Sequence, residues 1–295
     1  MRAESARAAG RRTFHPGDWR YNPPIVPDIA ATAAVIPTAT PPRDRIVYTL
    51  RALGKSDLPA SFNLNGELYR HERTIKHDFF AATGFYLSST GERVVLKVGR
   101  TQEYGGVPLL WLGKWLCDRE VRFYTACADL PNIPKMLGRV GKTGFVHAYV
   151  PGRPLSKEHP IPNSLFDELF DLLRTLHARK IAYVDTNKPQ NILQGEDGRP
   201  HLIDFQISFD LHDFGDHFLT RAILRRLQKE DFYHVLKHKR KLRPDLLTPE
   251  EKARGKQVSW FIKTHRFITR PYFLIRRRTF KRLRETGQLA PEGSK

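Results

Sequence analysis

Cysteine is almost absent: Cys117 and Cys127 are the only two in 295 residues. Two thiols exclude a disulfide framework and a four-cysteine zinc site. Long apolar runs are missing as well, and nothing reaches the roughly 18 apolar residues that a membrane-spanning helix requires. An export signal is not expected either. Arginines recur at positions 2, 7, 11 and 12, but no apolar stretch follows them, and Ile29 to Thr40 is broken by Thr and Pro. The expectation is a cytoplasmic protein with two unpaired thiols. Acidic residues are scarce relative to basic ones, with 31 Asp and Glu against 50 Lys and Arg, a net charge of +19. Such a surface meets polyanions: nucleic acid, phosphorylated ligands or an anionic membrane face. Apolar residues are present in ordinary amount, 40%, so full disorder is excluded. The length suits two domains or one bilobal one.

The charge is concentrated. Residues 221–295 hold 22 Lys and Arg against 7 Asp and Glu, so most of the excess lies in the last quarter. Aromatics interleave these basics: Trp260, Phe261, Phe267, Tyr272, Phe273 and Phe280. A basic helix with an aromatic face lies in a membrane interface, although the same face can pack on a core. We therefore assign 258–295 as a basic amphipathic segment. Residues 1–44 alternate Arg/Ala-rich and Pro-rich stretches without periodicity and are expected to be a disordered tail.

Between these ends, 45–150 reads as strand-rich. Arg73–Phe80 and Gly84–Ser88 are short apolar runs, Arg93–Val98 is a β-branched strand, and Leu109 to Leu130 is helical. Met136–Val140 and Thr143–Val150 form a hairpin around Gly141-Lys142. Pro151-Gly152-Arg153-Pro154 marks the boundary of a second unit, 151–257. A helix then starts at a cap on Asn163 or Ser164, with Leu165, Leu169, Leu172, Leu173 and Leu176 on one face. A strand, turn and strand follow over 192–203, with more helices from 216.

The chemistry is concentrated in Tyr183-Val184-Asp185-Thr186-Asn187-Lys188-Pro189-Gln190-Asn191 and, beyond the hairpin, in Ile203-Asp204-Phe205-Gln206. Strand out, tight turn and strand back bring Asp204 beside Asn191. Two oxygen ligands so placed can hold Mg²⁺ while phosphate oxygens complete its shell. Asp185, one loop earlier, can orient a hydroxyl for in-line attack. The histidines His71, His77, His177 and His201 show no metal-ligand spacing and read as structural.

This pattern resembles the protein-kinase-like superfamily, with its catalytic-loop Asp, loop Asn and metal-binding Asp. Val95-Leu96-Lys97 looks like the strand lysine that binds phosphates. Arg119-Glu120-Val121 looks like the helix glutamate that pairs with it. His147 to Val150 falls at the adenine-binding hinge. Five motifs in the right order, over about 70–210, carry the resemblance. It implies an α+β bilobal fold, with a small β-rich N-lobe and a larger helical C-lobe. It also implies ATP and Mg²⁺ as cofactors, Asp185 and Lys188 as catalytic residues, and Asn191 and Asp204 as metal ligands. Lys97, Glu120, Gly84, His147 and Val150 would bind the nucleotide.

The departures from the pattern narrow it. In the expected phosphate loop, Phe79-Phe80-Ala81-Ala82-Thr83-Gly84-Phe85, Gly84 is the sole glycine. Tyr183 and Val184 stand where His and Arg are usual, and Asp185 to Asn191 is one residue longer than usual. The metal triplet is Asp-Phe-Gln, while the literal Asp213-Phe214-Gly215 follows no strand and is treated as a decoy. No Ala-Pro-Glu follows, so a long activation segment is not expected. These features resemble the bacterial kinases of lipopolysaccharide core sugars and the atypical RIO-like kinases. They imply ATP-dependent phosphoryl transfer to an alcohol on a sugar or anionic glycolipid, at the inner face of the membrane. An atypical protein kinase is the first alternative. The second is a catalytically inactive scaffold that binds RNA or membrane through its basic end.

Overall fold

A computed structural model describes residues 48–254. The assigned tail, 1–44, and the basic aromatic segment, 258–295, lie outside the described residues. The chain forms β1 (Ser61–Leu64), β2 (Glu67–His77), β3 (Ala81–Ser88), β4 (Arg93–Gly99), α1 (Leu110–Ala126), β5 (Met136–Val140) and β6 (Gly144–Ala148). After these come β7 (Gly152–Pro154), α2 (Leu165–Ala178), β8 (Ile181–Ala182), β9 (Ile192–Gly195) and β10 (Pro200–Leu202). The described region ends with β11 (Phe209–Asp210), α3 (Leu211–Phe214), α4 (Phe218–Leu242) and α5 (Pro249–Arg254).

The first lobe is a six-stranded antiparallel sheet ordered β1-β2-β3-β4-β6-β5, with α1 against it. Alternation along β3 and β4 buries Ala82, Tyr86, Val94 and Leu96, which join Phe62, Tyr69 and Val146 in one cluster. The second lobe packs α2 against α4. All five leucines expected on the inner face of α2 are buried. Each fully buried leucine stabilises the lobe by roughly 1.5–3 kcal/mol. The fold is the expected α+β, bilobal one, with a β-rich first lobe and a more helical second lobe.

Several local readings are corrected. The run Arg73–Phe80 is not one strand: β2 starts at Glu67 and ends at His77, and Asp78 to Phe80 turn the chain. At the expected boundary, Pro151 to Pro154, Gly152–Pro154 is the edge strand β7, paired with β9 of the second lobe. An edge position tolerates proline, which has no N–H to donate. Ser164 occupies the N-cap of α2 with helical dihedrals and makes no side-chain cap bond. Asp167 and Glu168 in the first turn meet the helix dipole instead.

Gly113 sets the distance between α1 and the sheet. A Cβ at this position would lie 1.9 Å from the Arg100 carbonyl oxygen. Alanine favours a helix over glycine by about 1 kcal/mol, whereas forcing atoms into a packed contact costs about 1–3 kcal/mol. Because the obstacle is backbone, the second effect wins. Gly113→Ala should lower unfolding free energy by about 1–3 kcal/mol in urea titration. An equally stable or stabilised variant would show that α1 can slide.

Candidate active site

Lys97 projects from β4 into the cleft between the lobes. Its Nζ donates to Glu120 of α1 at 2.7–2.9 Å and to Asp204 at 2.8 Å. One ammonium is thus shared by two carboxylates, from the sheet's helix and from the end of the β9–β10 hairpin. Burial disfavours its charge, but the two carboxylates outweigh burial and hold Lys97 well above the ordinary lysine range. Burial pushes the Glu120 carboxyl up to about 7, against the pull of Lys97. Asp204 also meets a burial penalty, but Lys97 in contact, with Lys76 and Lys188 nearby, holds it well below the usual carboxylate range.

The hairpin delivers Asp204 as its spacing predicts. β10 pairs with β9, and the Ile203 N–H donates to the Asn191 carbonyl at 3.1 Å. Asp204 itself has φ of 65°, a region that costs a residue with a side chain of order 1–3 kcal/mol. Its backbone N–H donates to the Tyr124 hydroxyl at 3.1 Å. Next to it, Phe205 packs edge-on against Tyr124 and Tyr183 and stacks on Phe123. These rings run from α1 to the segment that carries Asp185.

Asp185 opens a short 3-10 turn (Asp185–Asn187), followed by a second one over Pro189–Asn191. The step from Asp185 to Asn191 is taken up by these two turns. Both ends still meet: Asn191 Nδ2 donates to Asp185 Oδ2 at 2.8 Å, and Lys188 Nζ donates to the same oxygen at 2.6 Å. Asp185 is buried, while the Lys188 side chain is 53% exposed, so Lys188 can reach a ligand and Asp185 needs one brought to it.

What holds this loop was not foreseen. Asp231, on α4 and fully buried, accepts from the backbone N–H of Tyr183 at 2.9 Å and of Val184 at 2.8 Å. It also accepts from Thr186 Oγ1 at 3.2 Å and lies 3.1 Å from His177 Nε2. Val184 has φ of 71°, an outlier for a β-branched residue. Charge-assisted bonds of about 1.5–3 kcal/mol each are enough to keep it there. The only sequence signal was a lone Asp beside Phe232 within a helix of mostly basic charge.

Gly84 does not lie in a loop. It sits in mid-β3, opposite Thr74 and Leu96. The turn over the cleft is Asp78 to Phe80, built by side chains rather than glycine. Asp78 Oδ1 accepts from the N–H groups of Phe80 at 2.9 Å and Ala81 at 3.0 Å. Arg100, completely buried, donates to the carbonyls of Phe79 at 2.8 Å and Thr49 at 2.7 Å, and its guanidinium lies 3.9 Å from the Phe79 ring centre.

His147 lies in β6 opposite Val95, with its side chain buried against Tyr124 at 5.2 Å between ring centres. Burial lowers it to about 4, so the ring is neutral near pH 7 and Nδ1–H donates to the Ala148 carbonyl at 2.9 Å. It walls the cleft rather than offering a donor into it. Val150 lies between β6 and β7, where the chain crosses to the second lobe. Asp213 of the decoy triplet pairs with Arg122 and Arg119, away from Lys97. Arg119, next to Glu120 and buried, donates to the Ser208 carbonyl. This ties α1 to the segment after Asp204.

No family model and no curated protein matches the chain. Solved structures similar to it include the Rio2 kinase–ADP/Mg²⁺-phosphoaspartate complex from Chaetomium thermophilum. The two share 18% identity, with 61% of this chain and 58% of that one covered at a TM-score of 0.46. Another is the Rio2 kinase from the same organism, at 18% identity, covering 61% and 60%, with a TM-score of 0.43. The chain spans about three-fifths of the length of these structures.

Asp231→Ala would strand two backbone donors, each costing about 1–3 kcal/mol. Urea unfolding should therefore show a loss of about 2–5 kcal/mol, and an unchanged midpoint would rule out the anchor. The low folded-state value of Asp204 gives a second expectation. Below and around its ordinary value of 3.8 the unfolded chain binds more protons than the folded one. Its contribution is therefore complete above that range and lost as pH falls through it. The urea midpoint of Asp204→Asn should fall less steeply between pH 5 and pH 2 than that of the wild type, and parallel curves would contradict this.

Proposed function

We propose that this protein transfers a phosphoryl group from ATP to an alcohol, and that the acceptor is a sugar hydroxyl, as on an anionic glycolipid. The observation that carries the reading is Lys97, clasped by Glu120 and Asp204 across the cleft that also holds Asp185 and Asn191. Phosphoryl transfer asks for positioning and charge stabilisation more than for covalent chemistry. A buried, firmly charged ammonium supplies the stabilisation on the phosphate side. Asp185 supplies the base: its Oδ2 is fixed by Asn191 and Lys188, so it can accept or orient a hydroxyl proton without reorganising. Lys188 offsets charge where the acceptor approaches.

Asn191 and Asp204 are the residues that would hold Mg²⁺. Asn191 spends its amide N–H on Asp185 and keeps its carbonyl oxygen, and Lys97 is bound by Oδ1 of Asp204, leaving Oδ2. This is a hard-oxygen pair of the kind Mg²⁺ takes together with phosphates and water. Bound there, the ion would neutralise charge developing on the transferred group. Among the described residues no cluster of three or more His, Cys, Asp or Glu could hold a metal by itself, so phosphate oxygens would complete the shell.

The short span from Phe205 to His217 before α4 favours a small acceptor. It holds only β11 and the single turn α3, which leaves little platform for an extended peptide. Labelled ATP should transfer phosphate to lipopolysaccharide core or membrane extract, and Asp185→Ala and Asp204→Ala should each reduce the rate by about 10²–10⁴-fold. Label appearing in a generic protein instead would assign a protein kinase. ATP binding without transfer to any acceptor would defeat the catalytic reading.

A further inference from the structure

A second concave feature lies outside the nucleotide cleft. It is a groove of about 490 Å³ between the loop Ser156–Ile161 and the end of α4. Its charged lining is Lys157, Glu158, His159, Lys241 and Arg243. Arg243 is spent on structure: it pairs with Asp245 at 2.7 Å, donates to Asn163 Oδ1 at 2.6 Å and binds the Ile161 carbonyl. Those bonds fasten the loop to the helix and give the groove a fixed wall. Lys157, His159 and Lys241 are exposed, and among the described residues neither lysine makes an ion pair. Glu158 is the one carboxylate on the lining.

The groove and the loop that carries Asp185 share α4 as a wall and an anchor. Lys237, one turn before Lys241 on α4, donates to Asn187 Oδ1 at 3.0 Å. Four residues of helix rise only about 6 Å. Between them, His238 is buried with Nε2 3.0 Å from the Thr186 carbonyl. Burial and the nearby charges of Lys237 and Lys241 lower its pKa. A line of cations therefore runs from Lys188 beside Asp185, past Lys237, into the groove. On the other side, Leu155 N–H and Pro160 O bond β9 at Ile192 and Gln194, so the loop is rooted on the strand that follows Asn191.

We infer that this groove binds a phosphate group carried by the acceptor, so that the acceptor is an already phosphorylated alcohol lying from Asp185 along the end of α4. The inference rests on the phosphotransferase reading for the word acceptor. The anion site itself rests on the groove and its two uncommitted lysines. The phosphate can belong to a soluble sugar phosphate or to a lipid headgroup, and both present anionic phosphate oxygens that lysines can bind, the monoester with the higher charge.

The test uses the full chain with its nucleotide cleft saturated by a non-hydrolysable ATP analogue and Mg²⁺. Inorganic pyrophosphate is titrated calorimetrically into wild type, into Lys157→Ala/Lys241→Ala, and into Arg221→Ala/Arg225→Ala, whose arginines lie on α4 outside the groove. The expected result is binding to wild type and to the arginine variant, and a loss of at least about tenfold in the lysine variant. Equal affinity in the lysine variant, an equal loss in the arginine variant, or no binding to wild type at millimolar pyrophosphate overturns the groove. A second arm measures sedimentation with phosphatidylglycerol vesicles. Vesicle binding that the lysine variant loses assigns the phosphate to a headgroup, whereas selective pyrophosphate binding without vesicle binding assigns a soluble acceptor. Failure of the ATP analogue to bind wild type would sink the phosphotransferase reading instead, and the pyrophosphate comparison would still decide the groove.

Discussion

The ammonium of Lys97 between Glu120 and Asp204 is the contact on which the relation of the two lobes depends. It joins β4, α1 and the strand-end segment after β10, three elements far apart in sequence. Burying three charges costs several kcal/mol per ion before their attraction is counted. Such a cluster is poor evidence of stability. Each carboxylate needs the ammonium, and the ammonium needs both lobes closed around it. Gly113 lets α1 come close enough for Glu120 to reach, and Arg119 fastens the same helix to Ser208. The rings of Tyr124, Phe205 and Tyr183 fill the space behind.

A second frame supports the first. Asp231 fixes the backbone of Tyr183 and Val184 from below, and Tyr183 in turn binds the Ile203 carbonyl just before Asp204. The loop with Asp185 and the segment with Asp204 are therefore held by one helix, α4. That helix also carries Lys237 and Lys241 to its far end. Its buried side is a structural anchor, and its exposed side is a cationic surface.

The charged residues of the cleft were legible by two routes. A hairpin of predictable length links Asn191 to Asp204, whereas Lys97 and Glu120 stand out only through the resemblance of their motifs, since no strand or helix pattern pairs them. Asp231 stayed hidden because two of its partners are backbone N–H groups, which no side-chain pattern announces, and its side-chain partners Thr186 and His177 lie 45 and 54 residues away. The turn at Asp78 holds no glycine and is closed by a side chain, and the one glycine nearby, Gly84, lies in mid-strand, so glycine does not mark the turn. Short edge strands such as β7 fail for a related cause. Three residues with a proline carry no periodicity, and pairing with β9 alone makes them a strand.

The Asp78 turn has a kinetic consequence under the phosphotransferase reading. A glycine loop offers free amide donors to nucleotide phosphates, but here the N–H groups of Phe80 and Ala81 are already taken by a carboxylate. Phosphates would be gripped chiefly by Lys97 and the metal, with fewer backbone tethers from the turn to break on departure. Turn opening would then not gate the exit of spent nucleotide, and the residence time of ADP would be set by the ammonium and the metal. A cleft of that kind trades tight holding for rapid exchange.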